Sequence, residues 1–160
     1  MAVVFEGMVI CFILLIVCVI GIANGPVGLV VFYEDEVKER VVELGLITKE
    51  RIKRNSVISG LAIFLSSLLL VPYMVYGVNG ARGFWEIFLQ MTAIYYISGL
   101  FDRIFIDWYW VGHTKAWIIP DTEDLQPYIY GKTLIVKWVG TLAGFPLYAA
   151  LAALVLTKMI

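Results

Sequence analysis

Charge is scarce in this chain, and so are the side chains that most often bind metals. Asp, Glu, Lys and Arg make up 16% of the 160 residues, against about a quarter in soluble domains. There is one histidine, His113, and the only cysteines are Cys11 and Cys18. No HxxxH, HExxH or CxxC pattern occurs, so neither a metal nor a cofactor is expected. The two cysteines stand seven residues apart, about 10.5 Å along a helix, which is too far for a disulfide. A formal net charge of −1 gives no reason to expect nucleic acid as a partner. The opening MAVVFEG carries no basic stretch, and no small-residue cleavage pattern follows the first apolar run. That run reads as a retained helix and not as a signal peptide. Internal repeats and low-complexity tracts are absent as well.

What is abundant is apolar length. Hydrophobic residues make up 61% of the chain, and mean hydropathy is +0.89. The excess lies in long runs, which predicts transmembrane helices rather than one soluble core. Four segments, at 3–23, 56–77, 84–104 and 133–156, reach the roughly 20 residues that cross about 30 Å of hydrocarbon. The expected fold is an all-α integral membrane protein, one domain over 1–160. Its third transmembrane helix extends into the cytoplasm, and short amphipathic helices lie on that side. Lys38, Arg40, Lys49, Arg51, Lys53 and Arg54 crowd into 34–55, and Arg103, Lys115, Lys132 and Lys137 follow in 102–137. The other side has only Arg82 and Lys158. The positive-inside rule therefore puts 34–55 and 105–132 in the cytoplasm and both termini outside the cell membrane.

Within 34–55, Val37, Val41 and Leu44 form a helical stripe. Gly45 can end that helix in a left-handed conformation, and Thr48 can cap the next, which runs on into the second span. The stripe suits a helix packed on the bundle or the membrane, or else a docking surface for a partner.

The stretch GLFDRIFIDWYWVGHTK, 99–115, holds the residues with most chemistry. On an α-helical wheel Asp102, Arg103, Asp107, Trp110 and His113 fall within an arc of about 140°. Asp102 lies about 27 Å along the helix from Phe84, near the inner edge of the hydrocarbon, and Lys137 reaches a similar level. Ionisable groups there must be paired or wetted. Arg103 can pair with Asp107 at i, i+4, which leaves Lys137 for Asp102. Gly140 and Gly144 form a GxxxG that would let another helix approach. Structural ion pairs would account for most of these residues. A pocket for a polar headgroup or small anion would account for them too. In that pocket Arg103 and Lys137 bind the anion, Trp110, Trp117 and Asn24 complete the binding set, and Asp102, Asp107 or His113 serves as acid–base group.

Two further segments bear on such a site. In WIIPDTEDLQPYIYGK, Asp121 can cap a short helix with Glu123 and Asp124 in its first turn, either as a connector or as an acidic lid over Arg103 and Lys137. Asn24-Gly25-Pro26 breaks an apolar run and frees backbone polar groups.

Function is expected to be that of a small membrane-embedded binding or accessory protein, with membrane lipids as partners and possible assembly as a homo-oligomer or within a larger membrane complex. The alternative is an interfacial enzyme acting on a lipid or another membrane-borne anionic substrate.

Overall fold

The computed structural model describes residues 2–158, apart from the side chain of Ser66. The described residues are helical or irregular, with no strand. Helix α1 is Ala2–Ile22, α2 is Asp35–Glu43 and α3 is Lys49–Val78. Helix α4 begins as Phe84–Phe101 and continues as a π-helical stretch, Asp102–Val111. Helix α5 is Gly131–Thr157. Short 3₁₀ turns at Pro26–Phe32, Lys115–Trp117 and Glu123–Leu125 punctuate the connections.

Local chemistry accounts for the boundaries. Gly25 has φ 102, a conformation open to glycine, and it turns the chain out of α1 into Pro26. Gly45 at φ 71 ends α2. Thr48 caps α3 by accepting a hydrogen bond from the Arg51 N–H at 3.2 Å.

Helices α1, α3 and α5 are long and apolar enough to cross a membrane. Their outward faces are apolar too: Phe5, Phe12 and Ile20 on α1, Phe64 and Leu69 on α3, and Leu147 and Leu151 on α5 are all exposed. Helix α4 is more polar, and it is the one the others surround. It buries Ile87, Met91, Ile94, Tyr95, Ser98 and Gly99, chiefly against α1 and α5. The Tyr95 hydroxyl donates to the Ser67 carbonyl of α3, and the Tyr96 hydroxyl to the Leu142 carbonyl of α5.

Glycine permits the closest approaches. A Cβ on Gly7 would stand 2.8 Å from Ile97, and one on Gly99 would stand 2.8 Å from Thr141. The GxxxG expectation is corrected here. Gly140 and Gly144 are exposed, with nothing near their Cβ positions. The contact with α4 is instead made by Thr141 and Phe145 on the other face of α5.

A second core sits at one end of the bundle. Leu29, Val30, Tyr33, Val37, Val41, Trp117, Ile119 and Tyr128 pack there against Ile106 and Val111 of α4. Val37 and Val41 are 0% exposed, and burying each contributes about 2 kcal/mol. The α2 stripe is thus packed on the bundle and not free for a partner, although Leu44 stays exposed.

Candidate functional site

Below Phe101 the helix widens. A π-helix closes i→i+5 bonds, so each residue turns through less than the about 100° of an α-helix. Over ten residues the difference accumulates. Arg103, Ile106, Asp107 and Val111 come to face inward, while Ile104, Phe105, Trp108 and Tyr109 face outward. His113 is exposed.

The inward residues form a chain of alternating charge. Arg103 Nη2 contacts the Asp102 carboxylate. Arg103 Nη1 lies 2.6 Å from Asp107 Oδ2. Lys137 Nζ donates to Asp107 Oδ1 at 2.8 Å. The Arg103–Asp107 pair is as expected, but the Lys137–Asp102 pair is not. The register of α5 on α4 puts Lys137 one turn further along, at Asp107. Thr141 holds that turn by donating to the Lys137 carbonyl at 3.0 Å, and the Lys137 ammonium stands 5.7 Å over the Phe32 ring.

Arg103 and Asp107 are each 7% exposed. Stripping water from such ions costs several kcal/mol each, so directed partners matter. Arg103 Nε and Nη1 have no hydrogen-bond acceptor, because the close approach of Nη1 to Asp107 is poorly aligned; Asp107 Oδ2 is likewise unbonded. Arg103 is therefore held by charge while donors remain unused.

Arg103 is also one wall of a cleft of about 510 Å³, lined by Asp107, Trp108, His113, Tyr130 and Trp138 among others. His113 Nδ1 lies 2.6 Å from the Trp108 carbonyl oxygen. A carbonyl can only accept, so Nδ1 donates here and Nε2 is the ring nitrogen outside this contact. The Tyr130 hydroxyl donates to Glu36 at 2.8 Å; burial and then that carboxylate push its pKa up to about 12. Beside it, Glu34 accepts from the Thr133 N–H at 2.9 Å, and hydrogen bonds from Thr133 hold its carboxyl below the usual range. These two acids fasten α2 to the start of α5 and so shape one wall of the cleft.

No protein-family model matches this chain, and neither does any curated protein or solved structure. The case for a site rests on its geometry.

Of the residues expected to form a site, Arg103, Asp107 and His113 meet at this cleft, with Asp102 and Lys137 as ion partners behind it. Trp110 and Trp117 do not line it. Trp117 is 1% exposed, a core residue that meets Trp110 edge-on at 5.0 Å. Trp108 and Trp138 supply the aromatic wall instead. Asn24 lies elsewhere, in a separate cleft against α3. The acidic lid is corrected as well: Asp121 turns the chain at φ 64 and Asp124 contacts Arg40 of α2 at 3.5 Å. Among the described residues no cluster of three His, Cys, Asp or Glu could hold a metal.

One polar cluster escaped the sequence reading. Glu6 is buried at the opposite end of the bundle, where Asn79 donates to it at 3.1 Å and to Gln90 at 2.9 Å. The available signal was a lone acid inside an otherwise apolar helix.

Proposed function

We propose that this chain is a four-span integral membrane protein that binds the polar headgroup of a membrane-borne molecule in the Arg103 cleft, as a binding or accessory protein. The exposed apolar faces of α1, α3 and α5 support the membrane reading, since surfaces of that extent are not kept in water. Helix α4 serves as the fourth span. Its neighbours cover one side, where Tyr95 is buried, and Trp85 and Leu89 stay exposed on another. Gln90 accepts from Asn79 and Tyr96 donates to the Leu142 carbonyl, so these polar groups have partners within the bundle. In this reading the Arg103 end faces the cytoplasm of a cell-membrane protein whose termini are both outside, following the Lys and Arg distribution.

The observation that carries the binding reading is Arg103 itself. It is buried, yet its Nε and Nη1 donors lack acceptors, and it lines a cleft walled by Trp108 and Trp138. Arg103 and Lys137 balance Asp102 and Asp107, so the cluster carries little net field. A headgroup oxygen is held there by directed hydrogen bonds from the guanidinium, and the tryptophans take the adjoining apolar part. Native mass spectrometry of detergent-purified protein tests this. Wild type should retain a bound lipid that Arg103→Ala loses while staying folded. Full retention by Arg103→Ala would leave the cluster as structural ion pairs.

One observation favours the enzyme reading: His113 lines the same cleft, with Nδ1 tied to the Trp108 carbonyl and Nε2 left outside that bond. His113→Ala should then spare lipid retention and abolish turnover. If wild type turns over none of the lipid classes offered, the accessory role stands alone.

A further inference from the structure

The cleft that contains Asn24 differs from the first in charge. It encloses about 360 Å³ between the turn after α1 and the first turns of α3, and Asn24, Gly25, Gly28, Arg51, Asn55 and Ser59 are among its walls. Its construction is specific. The Pro26–Phe32 segment folds back onto α1 so closely that a Cβ on Gly28 would stand 2.5 Å from the Gly21 carbonyl oxygen. Asn55 Nδ2 donates to the Gly28 carbonyl at 3.0 Å and pins the segment to α3.

No carboxylate lines this cleft. Lys49, Arg51, Lys53 and Arg54 are exposed, and among the described residues none of them makes an ion pair. Arg51 alone of the four lines the cleft. Helical spacing puts Arg51, Asn55 and Ile58 on one face of α3. Further along, Ile58, Leu61 and Leu65 are 59%, 57% and 54% exposed. A free guanidinium in a polar hollow thus stands at the head of an exposed apolar track.

We propose that this cleft binds the phosphate of an anionic phospholipid, with Arg51 as its principal cation, Asn24 beside it, and the acyl chains along Ile58, Leu61 and Leu65. The inference rests on the reading of α3 as a membrane span. The lipid here is selected by charge, because the four cations of this region make no ion pair among the described residues, whereas the Arg103 cluster is balanced. Arg51 can grip two phosphate oxygens at once.

Nanodiscs or detergent micelles titrated with phosphatidylglycerol, and with phosphatidylcholine as the zwitterionic control, test the site by native mass spectrometry. Wild type should prefer phosphatidylglycerol by about tenfold or more. Arg51→Ala should bring that preference close to parity, Arg51→Lys should restore part of it, and Lys53→Ala, which removes the same charge outside the cleft, should keep most of it. Asn24→Asp, which adds a negative charge to the hollow without touching Arg51, should also lower it and covers the case in which Arg51→Ala misfolds. Equal losses of about fivefold for Arg51→Ala and Lys53→Ala would show a diffuse basic surface and overturn the site. Displacement of the lipid by millimolar inorganic phosphate would make the ligand a free anion and overturn the lipid assignment. Failure of the chain to enter nanodiscs at all would refute the membrane reading instead. Loss of lipid only in Arg103→Ala would leave the first cleft standing and remove this one.

Discussion

The ammonium of Lys137 donates to Oδ1 of Asp107 across 2.8 Å, and this contact ties α5 to the widened end of α4. Asp107 is 7% exposed and also faces Arg103; burial disfavours its charge, and Lys137 is one of the two cations that oppose this. Removing it should destabilise the protein by about 3 kcal/mol, because a buried charge is stranded. Lys137→Met combined with Asp107→Asn should recover much of that loss, whereas Lys137→Met with Asp102→Asn should recover less, because those two residues are linked only through Arg103 and Asp107. Thermal unfolding in detergent of the three single and two double variants measures this. Additivity for the Asp107 pair would mean that the two residues do not interact.

The glycines of α4 and α5 should answer oppositely to alanine. A Cβ at Gly99 meets Thr141 at 2.8 Å, so Gly99→Ala forces α4 and α5 apart and should cost about 1–3 kcal/mol. Gly140 and Gly144 have open space at their Cβ positions. Alanine there should be neutral, or stabilising by up to about 1 kcal/mol through helix propensity. Equal destabilisation at all three positions would show that α5 presents its GxxxG face to a neighbour.

Acid should loosen the join between α2 and α5. Hydrogen bonds from Thr133 lower the Glu34 pKa from its ordinary 4.5. A group whose folded-state pKa is depressed contributes stability that is present above its unfolded value and lost as pH falls through the folded one. Amide exchange at Thr133 should therefore stay slow above about pH 4.5 and quicken below it. In Glu34→Gln this quickening should disappear. An unchanged pH profile in that variant would remove Glu34 as the cause.

Orientation can be read by labelling in a background without Cys11 and Cys18. Gly83 is exposed, has φ −77 and has an open Cβ position, so Gly83→Cys should be tolerated. It should react with an impermeant reagent from outside the cell, and Glu123→Cys should react only after the membrane is opened. The reverse result would invert the proposed topology.

Much of this architecture was legible from run length and local chemistry. Apolar runs, Gly25, Gly45 and Thr48 are enough to give the helices and their ends, because these features act within a few residues of chain. The gathering of Arg103, Asp107 and Lys137 at one end also follows from counting residues along antiparallel helices. Which carboxylate Lys137 meets does not. That depends on the register of α5 against α4, set where Gly99 admits Thr141, and on the π-helical widening from Asp102 to Val111. The same widening carries Val111 inward, which no fixed angle per residue could anticipate. Trp117 and Trp108 look alike in sequence, yet one is core and the other lines a cleft, because the 115–130 connector folds back onto α2. Composition and periodicity by themselves determined that the chain is helical and where its charges concentrate. Tertiary packing decided which of those charges are neutralised, at Arg103, and which are left free, at Arg51, because ion pairing depends on distances between helices that are remote in sequence.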